Sequence, residues 1–164
     1  IRGFQYDLNF NTTLLQAINV TEGVHFQSYG TFFNPGVIDN TNGTITGGFG
    51  IILTGLNMTT YGEVAIIAFT AQNISGTSNL NLSNVVIGRQ NATAVSVNVV
   101  NSSVEVKYEP WDLNDDGYVN VLDLILVGQH WGETGEPGWI QVDLNLDGVI
   151  NILDVVVLVN HWTG

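Results

Sequence analysis

The chain has 164 residues and a formal net charge of −12, from 15 acidic residues against three basic ones, and it contains no cysteine. Disulfide bridges, thiolate metal sites and cysteine nucleophiles are therefore excluded, and three cations provide no basic surface for nucleic acid. No apolar run approaches the roughly 18 residues that a membrane-spanning helix needs. The chain begins at Ile1 without an initiator Met, which indicates a mature or truncated product.

The acidic residues are concentrated in the last third of the chain. Residues 110–164 contain nine Asp or Glu and no Lys or Arg, whereas residues 1–109 contain six acids and three bases and are rich in Asn, Thr and Gly. We therefore predict two domains, 1–109 and 110–164.

Residues 1–109 show the period-two alternation of half-buried β-strands. In residues 3–10, the side chains of Phe4, Tyr6, Leu8 and Phe10 share one face. Similar runs follow, separated by Asn, Gly, Pro and Ser clusters that favour turns; they lie at residues 44–53, 64–71, 80–87, 94–100 and 103–108. Many short strands with little helical periodicity predict an antiparallel sandwich.

Residues 110–164 contain an internal repeat. The twelve residues 112–123 recur 31 residues later as 143–154, and His130-Trp131 recurs at the same offset as His161-Trp162. Each copy is a polar loop followed by about two turns of apolar helix, over residues 122–127 and 153–159.

Each loop carries oxygen-bearing side chains at positions 1, 3, 5, 9 and 12, which is typical of a loop that wraps calcium. Glycine at position 6 permits the sharp bend, and the carbonyl at position 7 supplies a further ligand. Position 12 is Asp instead of the Glu of the EF-hand, and no entering helix is evident. Two Asx-rich turns that cap helices are the alternative, but two complete matches in register favour metal sites.

Charge also favours bound metal. Each loop holds three carboxylates at the ligand positions, and like charges 4 Å apart repel by about 1 kcal/mol even in water. A module of this size has little core of its own. We therefore expect metal binding and folding of residues 110–164 to be one event.

The paired loops with Asp at position 12, each followed by a single helix, resemble the dockerin module, over residues 111–164. Residues 3–11 with Leu14-Leu15, and residues 62–69, are similar to strand patterns of the cohesin domain, the receptor for dockerins. Cohesins are jelly-roll sandwiches, and two strands that precede residues 3–10 in the family are missing here. The resemblance implies an all-β jelly-roll-like sandwich followed by a small α module of two F-hand-type loop-helix repeats.

The resemblance also implies a site for one Ca²⁺ ion in each loop. The two ligand sets that it carries over are Asp112, Asn114, Asp116, Tyr118, Asn120 and Asp123, and Asp143, Asn145, Asp147, Val149, Asn151 and Asp154.

Dockerins usually choose their partners with the residues at loop positions 10 and 11. Here these positions are apolar: Val121, Leu122, Ile152 and Leu153. The two pairs either contact a hydrophobic partner surface or belong partly to the core, and the sequence leaves both possibilities open. The apolar residues further along the helices are predicted to be core; they are Ile125, Leu126, Val156 and Val157.

The first domain contains eight Asn-X-Ser/Thr sequons, well above chance placement, and the second contains none. The asparagines are Asn11, Asn19, Asn42, Asn57, Asn73, Asn81, Asn91 and Asn101. Thr- and Asn-rich turns can generate sequons incidentally. The functional interpretation is N-linked glycosylation of a secreted, extracellular or cell-surface protein, where abundant calcium would keep the loops filled.

A receptor-like domain and a ligand-like module on one chain predict self-association. Pro110 stiffens the short connection at residues 107–110, and a head-to-tail contact between copies gives an open filament unless the rotation closes a ring. The missing strands leave sheet edges that a neighbouring chain can pair by strand donation. The alternative is a heterotypic adaptor, cellulosome-like, whose dockerin anchors to a separate scaffold receptor while the sandwich binds another protein or a polysaccharide.

We expect no enzymatic activity. Glycoside hydrolysis requires two positioned carboxylates, and no acid pair in the first domain is singled out by its spacing. His130 and His161 lie at helix ends, where capping and packing explain them. The glycine-rich run at residues 47–50 lacks the Lys of a phosphate loop and lies within a strand pattern, which indicates a bulge or close packing.

Overall fold

The computed structural model describes all residues, Ile1–Gly164, and the chain divides into two compact units, Ile1–Lys107 (unit 1) and Tyr108–Gly164 (unit 2). The elements of unit 1 are β1 (Gly3–Asn9), β2 (Leu15–Glu22), α1 (Val24–Gln27), β3 (Thr31–Asn34), β4 (Val37–Asp39), β5 (Thr44–Ile52), β6 (Ala65–Ala71), β7 (Gly76–Gly88), β8 (Ala94–Val95) and β9 (Ser102–Val106). Unit 2 contains α2 (Val121–Gln129) and α3 (Ile152–Asn160). None of the three helices is long and apolar enough to cross a membrane.

Unit 1 is a β-sandwich, as predicted. Its large antiparallel sheet has the order β3-β5-β1-β7-β8, with β4 also paired to β5 and β9 to β7, and its small sheet is β2-β6. The alternation in β1 produces this arrangement, because Phe4, Tyr6 and Leu8 are buried between the sheets while Gln5 and Asn9 are exposed on the outer face.

The glycine-rich run at residues 47–50 lies in β5, and both of the predicted explanations, a bulge and close packing, apply to it. The β1–β5 register shifts between Tyr6 and Leu8, opposite Gly47, which is a bulge. A Cβ atom added at Gly48 would lie 2.6 Å from the Tyr6 ring, and one added at Gly50 would lie 2.6 Å from the Phe4 ring. These glycines allow the aromatic side chains of β1 to pack directly on the β5 backbone.

The strand predicted at residues 94–100 is shorter in the structure, because only Ala94–Val95 pairs with β7. The segment at residues 96–100 pairs with no strand. Asn84 lies between the residues of β7 that pair with β8 and those that pair with β9. It has a left-handed φ of 50°, and the β1–β7 register shifts at this point. Helix α1 has only four residues, too few for a periodic signal.

The core of unit 2 lies between its two helices and loops. Val119, Val127, Ile150 and Leu158 are buried there together with Val142. Of the helix residues predicted to be core, Leu126 packs against this cluster and Val157 is half-buried.

The prediction that Ile125 and Val156 belong to the core is wrong, since both side chains are 50% exposed. Each helix buries the face that contains its first-turn Asp and the residue four positions later, Asp123 with Val127 and Asp154 with Leu158. A residue two positions after the Asp points to the opposite side of the helix at 100° per residue.

Candidate metal and partner-binding sites

The first loop, residues 112–123, is ordered by hydrogen bonds from its backbone amides to its own polar side chains. The two carboxylate oxygens of Asp112 accept the amides of Asp116 and Gly117 at 3.1 and 2.7 Å. The side-chain amide of Asn114 donates to Asp116 at 3.0 Å. Positions 1, 3 and 5 are therefore linked to one another by hydrogen bonds, with Asp112 buried and Asn114 and Asp116 exposed.

Position 12 ties the loop to the start of α2. Asp123 is fully buried; one of its oxygens accepts the amides of Leu113 and Asn114 at 2.7 and 3.3 Å, and the other accepts the amide of Asn120 at 2.8 Å. Asn120 in turn accepts the amide of Leu122 at 2.8 Å and caps the helix. This capping box joins positions 9 and 12.

The second loop, residues 143–154, repeats this network. Asp143 accepts the amides of Asp147 and Gly148 at 3.1 and 3.0 Å. Asp154 accepts three amides at 2.8, 3.3 and 2.8 Å; the donors are Leu144, Asn145 and Asn151. Even the backbone at position 4 matches, since Asp115 has a φ of 56° and Leu146 a φ of 58°.

The loops bury negative charge without a basic partner. Asp112, Asp123, Asp143 and Asp154 are each at most 6% exposed, and residues 108–164 include no Lys or Arg. Buried carboxylates are costly unless a positive charge compensates them. The three aspartates predicted as ligands in each loop are not placed in this structure as a group that could hold a metal by themselves, and a cation here would also need the amide and backbone oxygens of the loop. This mixed oxygen set fits a hard cation such as calcium.

The position-7 side chains contribute no oxygen to the loops. Tyr118 and Val149 are exposed, so only their carbonyls are available. The carbonyl of Val149 accepts the side-chain amide of Asn151 at 3.0 Å, and positions 7 and 9 of the second loop therefore contact each other directly.

The four residues at loop positions 10 and 11 lie in the first turns of the helices, and each is at least half exposed. Other exposed apolar side chains extend this surface on both helices. We name the exposed apolar residues of the two helices the helix face: Val121, Leu122, Ile125, Ile152, Leu153, Val156 and Val159.

Unit 1 carries an exposed apolar surface that was not predicted from the sequence. Register places Phe32 beside Ile51, and Phe49 and Val86 on either side of Gln5, so that all these side chains share the outer face of the large sheet. Phe32, Ile51 and Val86 are exposed. The sequence of β5 contained a signal for this surface, because the apolar residues Phe49 and Ile51 alternate with the buried glycines Gly48 and Gly50 and so point to the other side of the sheet. We name Phe32, Phe49, Ile51 and Val86 the sheet face.

Hydrogen bonds of Asp7 connect β1 to its two neighbours in the large sheet, β5 and β7. Asp7 accepts the backbone amide of Gly47 at 2.7 Å and the side-chain amide of Asn84 at 2.5 Å. These two hydrogen bonds, the Gly47 bond first, hold the pKa of Asp7 below its ordinary value. Asp7 therefore stays ionised beside the bulge.

All eight sequon asparagines are exposed. Asn42 donates its side-chain amide to Asp39 at 2.7 Å, and Asn57 donates to Gln90 at 3.3 Å. Burial therefore excludes none of them as an acceptor of N-linked glycan.

Comparison with known proteins places both units in families. The model of the cohesin domain matches residues 1–106 and the model of the dockerin type I domain matches residues 110–163. No curated protein is similar enough to match the chain.

Similar solved structures are cohesins or parts of cohesin–dockerin complexes. A type I cohesin–dockerin complex from Clostridium thermocellum contains a chain that is 12% identical, over 66% of this chain and 76% of that one, with a TM-score of 0.55. A non-cellulosomal cohesin from Archaeoglobus fulgidus is 17% identical over 63% and 69%, with a TM-score of 0.49. The cohesin module of a family 33 glycoside hydrolase from Clostridium perfringens is 16% identical over 66% and 73%, with a TM-score of 0.49.

The similarity to the C. thermocellum chain supports the sandwich fold, and the two family models cover the units separately. Because the cohesin model spans more than half of the chain, the chain belongs to the cohesin family, with a cohesin domain over residues 1–106 followed by a dockerin type I domain over residues 110–163.

Proposed function

We propose that this chain is a secreted, glycosylated structural protein whose dockerin domain binds two calcium ions and joins copies of the chain head to tail. Cohesin and dockerin domains are non-catalytic modules of protein–protein assembly, typically extracellular, and dockerin type I domains bind calcium. The observation that carries the proposal is the repeated loop network, which buries four aspartates in a unit without Lys or Arg.

The ligands of the two ions would be the two sets of six residues predicted from the sequence, one set in each loop. A bound calcium ion supplies the positive charge that these carboxylates lack. The residues themselves connect positions 2 and 9 to position 12, which lies in the first turn of the helix, so ordering the loop also orders the start of α2 or α3. Calcium would thereby fix the helix face in the conformation that a partner recognises.

The partner is proposed to be another copy because the chain carries two exposed apolar surfaces of matching character. The helix face offers aliphatic side chains such as Leu122 and Leu153, and the sheet face offers Phe32 and Ile51. Contiguous exposed apolar patches mark interaction sites. A helix face of one copy on a sheet face of the next is a heterologous contact, and its repetition gives an open filament unless the rotation closes a ring.

Strand donation offers a second contact between copies. An apolar cleft of about 520 Å³ in unit 1 is lined by side chains of β1, β6, β7 and β9, including Ile67, Leu82 and Val104. Strand β6 pairs only with β2, so one of its edges is free. A strand from another chain would cover the cleft and satisfy this edge.

Glycosylation is proposed at the eight sequons because their asparagines are all exposed and all lie in unit 1. Mass spectrometry of the protein from its native source, before and after enzymatic deglycosylation, tests the assignment; an unmodified mass would refute it.

Sedimentation velocity and electron microscopy of the purified chain in calcium, and then in EGTA, test the assembly. We expect large assemblies in calcium that dissociate in EGTA. Monodisperse monomer under both conditions would refute self-association. A complex that forms in calcium only after a foreign cohesin-bearing scaffold is added would support the adaptor function instead.

A further inference from the structure

Each calcium-type loop is held at position 8 by the segment that follows the helix of the other repeat. In the second loop, Ile150 donates its amide to the carbonyl of Glu133 at 3.0 Å and accepts the amide of Gly132 at 2.9 Å. In the first loop, Val119 accepts the amide of Thr163 at 3.0 Å and donates its own amide to the hydroxyl Oγ1 of Thr163 at 2.8 Å.

The two loops therefore differ in one respect. The second loop is held by backbone groups on both sides of Ile150, with further support from the amide of Gly135, which donates to the carbonyl of Gly148 at 2.9 Å. Gly138 also donates its amide to Asp143 at 2.7 Å. The first loop depends on a side chain, the Thr163 hydroxyl, for its position-8 amide, although Val119 is as deeply buried as Ile150.

The segment His161–Gly164, which we name the closing segment, contacts the first loop at two further points. The His161 ring stacks on Trp111, the residue before position 1, with centroids 3.3 Å apart and planes at 7°. Nδ1 of His161 lies 2.9 Å from the carbonyl of Val157, which fixes the ring. A Cβ atom added at Gly164 would lie 3.5 Å from Tyr118 at position 7.

This packing has no counterpart at the second loop. Thirty-one residues after Trp111 the chain has Val142, which has no ring to stack. His130, the equivalent of His161, instead pairs its Nδ1 with Glu133 at 3.0 Å. The first loop is thus held by stacking and by a hydroxyl, and the second is held by backbone and aliphatic packing.

We propose that Thr163 is a positioning residue for the first loop, and that the closing segment sets the calcium affinity of this loop separately from that of the second. The inference rests on the proposed assignment of both loops as calcium sites. Where metal binding orders a loop, a contact that exists only in the ordered loop adds to the apparent affinity. Without the hydroxyl, the buried amide of Val119 has no acceptor, and an unsatisfied buried donor weakens the ordered state.

The experiment is a calcium titration of the full chain in which NMR monitors the backbone amide signals of Gly117 and Gly148. Each amide lies at position 6 and donates to the position-1 aspartate of its own loop, so each reports on one loop. The variants are Thr163→Val, which removes the hydroxyl at nearly constant shape, and Thr163→Ser, which restores it. The matched control is Thr134→Val, since Thr134 follows the other helix and bridges to Val149 through its backbone.

For Thr163→Val we expect the calcium midpoint of Gly117 to rise about tenfold, equivalent to about 1.4 kcal/mol, while that of Gly148 moves less than about threefold. Thr163→Ser recovers most of the affinity, and Thr134→Val changes neither midpoint. Equal shifts at both glycines, or none, would overturn the positioning role while leaving the calcium sites in place. If neither glycine of the wild-type chain responds to calcium, the proposed function itself is refuted.

Discussion

Replacing Asp123 with Asn tests the first loop through its most buried ligand. The carboxylate accepts three backbone amides, from Leu113, Asn114 and Asn120. In the Asp123→Asn variant one oxygen still accepts the first two amides, but the new NH₂ group faces the amide of Asn120. One hydrogen bond is lost, two donors oppose each other, and the loop loses one negative charge toward the cation.

An unsatisfied buried donor costs about 1–3 kcal/mol, and we take about 2 kcal/mol as the central value. This weakens calcium binding by the first loop about thirtyfold, at 1.4 kcal/mol per factor of ten. Because a change of 1 kcal/mol shifts the melting temperature of a small domain by about 4–8 °C, unit 2 should melt about 10 °C lower in saturating calcium.

Asp115→Asn is the matched control, because it removes the same charge from the same loop. Asp115 is exposed, lies at position 4 and is not assigned as a ligand, and Asn tolerates its left-handed φ of 56°. Isothermal titration calorimetry measures the affinity and scanning calorimetry the melting temperature. If Asp115→Asn weakens binding as much as Asp123→Asn does, or if neither does, the ligand assignment is wrong.

Three further predictions follow from the two units. EGTA should abolish protection from hydrogen exchange in α2 and α3 and leave that of β1 and β5 intact, because only unit 2 buries aspartates and it has no Lys or Arg to balance their charge; equal loss in both units would contradict this. Leu122→Asp together with Leu153→Asp should abolish assembly in sedimentation experiments without changing calcium stoichiometry, whereas persistent assembly would exclude the helix face as the contact. Asp7→Asn should destabilise unit 1 in urea at pH 7, because the lowered pKa of Asp7 shows that the fold stabilises its ionised carboxylate. The difference from wild type should shrink as the pH falls below about 3.9, the ordinary pKa of Asp. A constant difference down to pH 2 would argue against this origin.

The sequence predicted the parts of the fold whose periodicity is long and one-sided. Strand β1 was predicted because Phe4, Tyr6 and Leu8 alternate with polar residues over its whole length. Helices α2 and α3 were predicted within one or two residues of their ends, since Asn120 and Asn151 cap them and polar loops precede them. Local chemistry determines these elements, so local patterns reveal them.

What the sequence failed to predict depends on contacts between distant residues. Residues 96–100 have a strand pattern but pair with no strand, although they follow the residues of β8 and precede those of β9 that pair with β7. Ile125 and Val156 are as apolar as core residues, and only the packing of α2 and α3 shows that they lie on the outer side. The same limit hid the sheet face, which joins β3, β5 and β7 across their register.

Calcium binding by the two loops that bury the four aspartates of unit 2 is tested most directly by native mass spectrometry. The mass of the full chain is measured in calcium and again after EGTA. We predict a mass difference equal to two calcium ions, reduced to one ion when Asp154→Asn is measured at a calcium concentration that just saturates the wild type. Equal masses before and after chelation would show that the loops bury their carboxylates without metal and would contradict the calcium-dependent function proposed for this cohesin–dockerin chain.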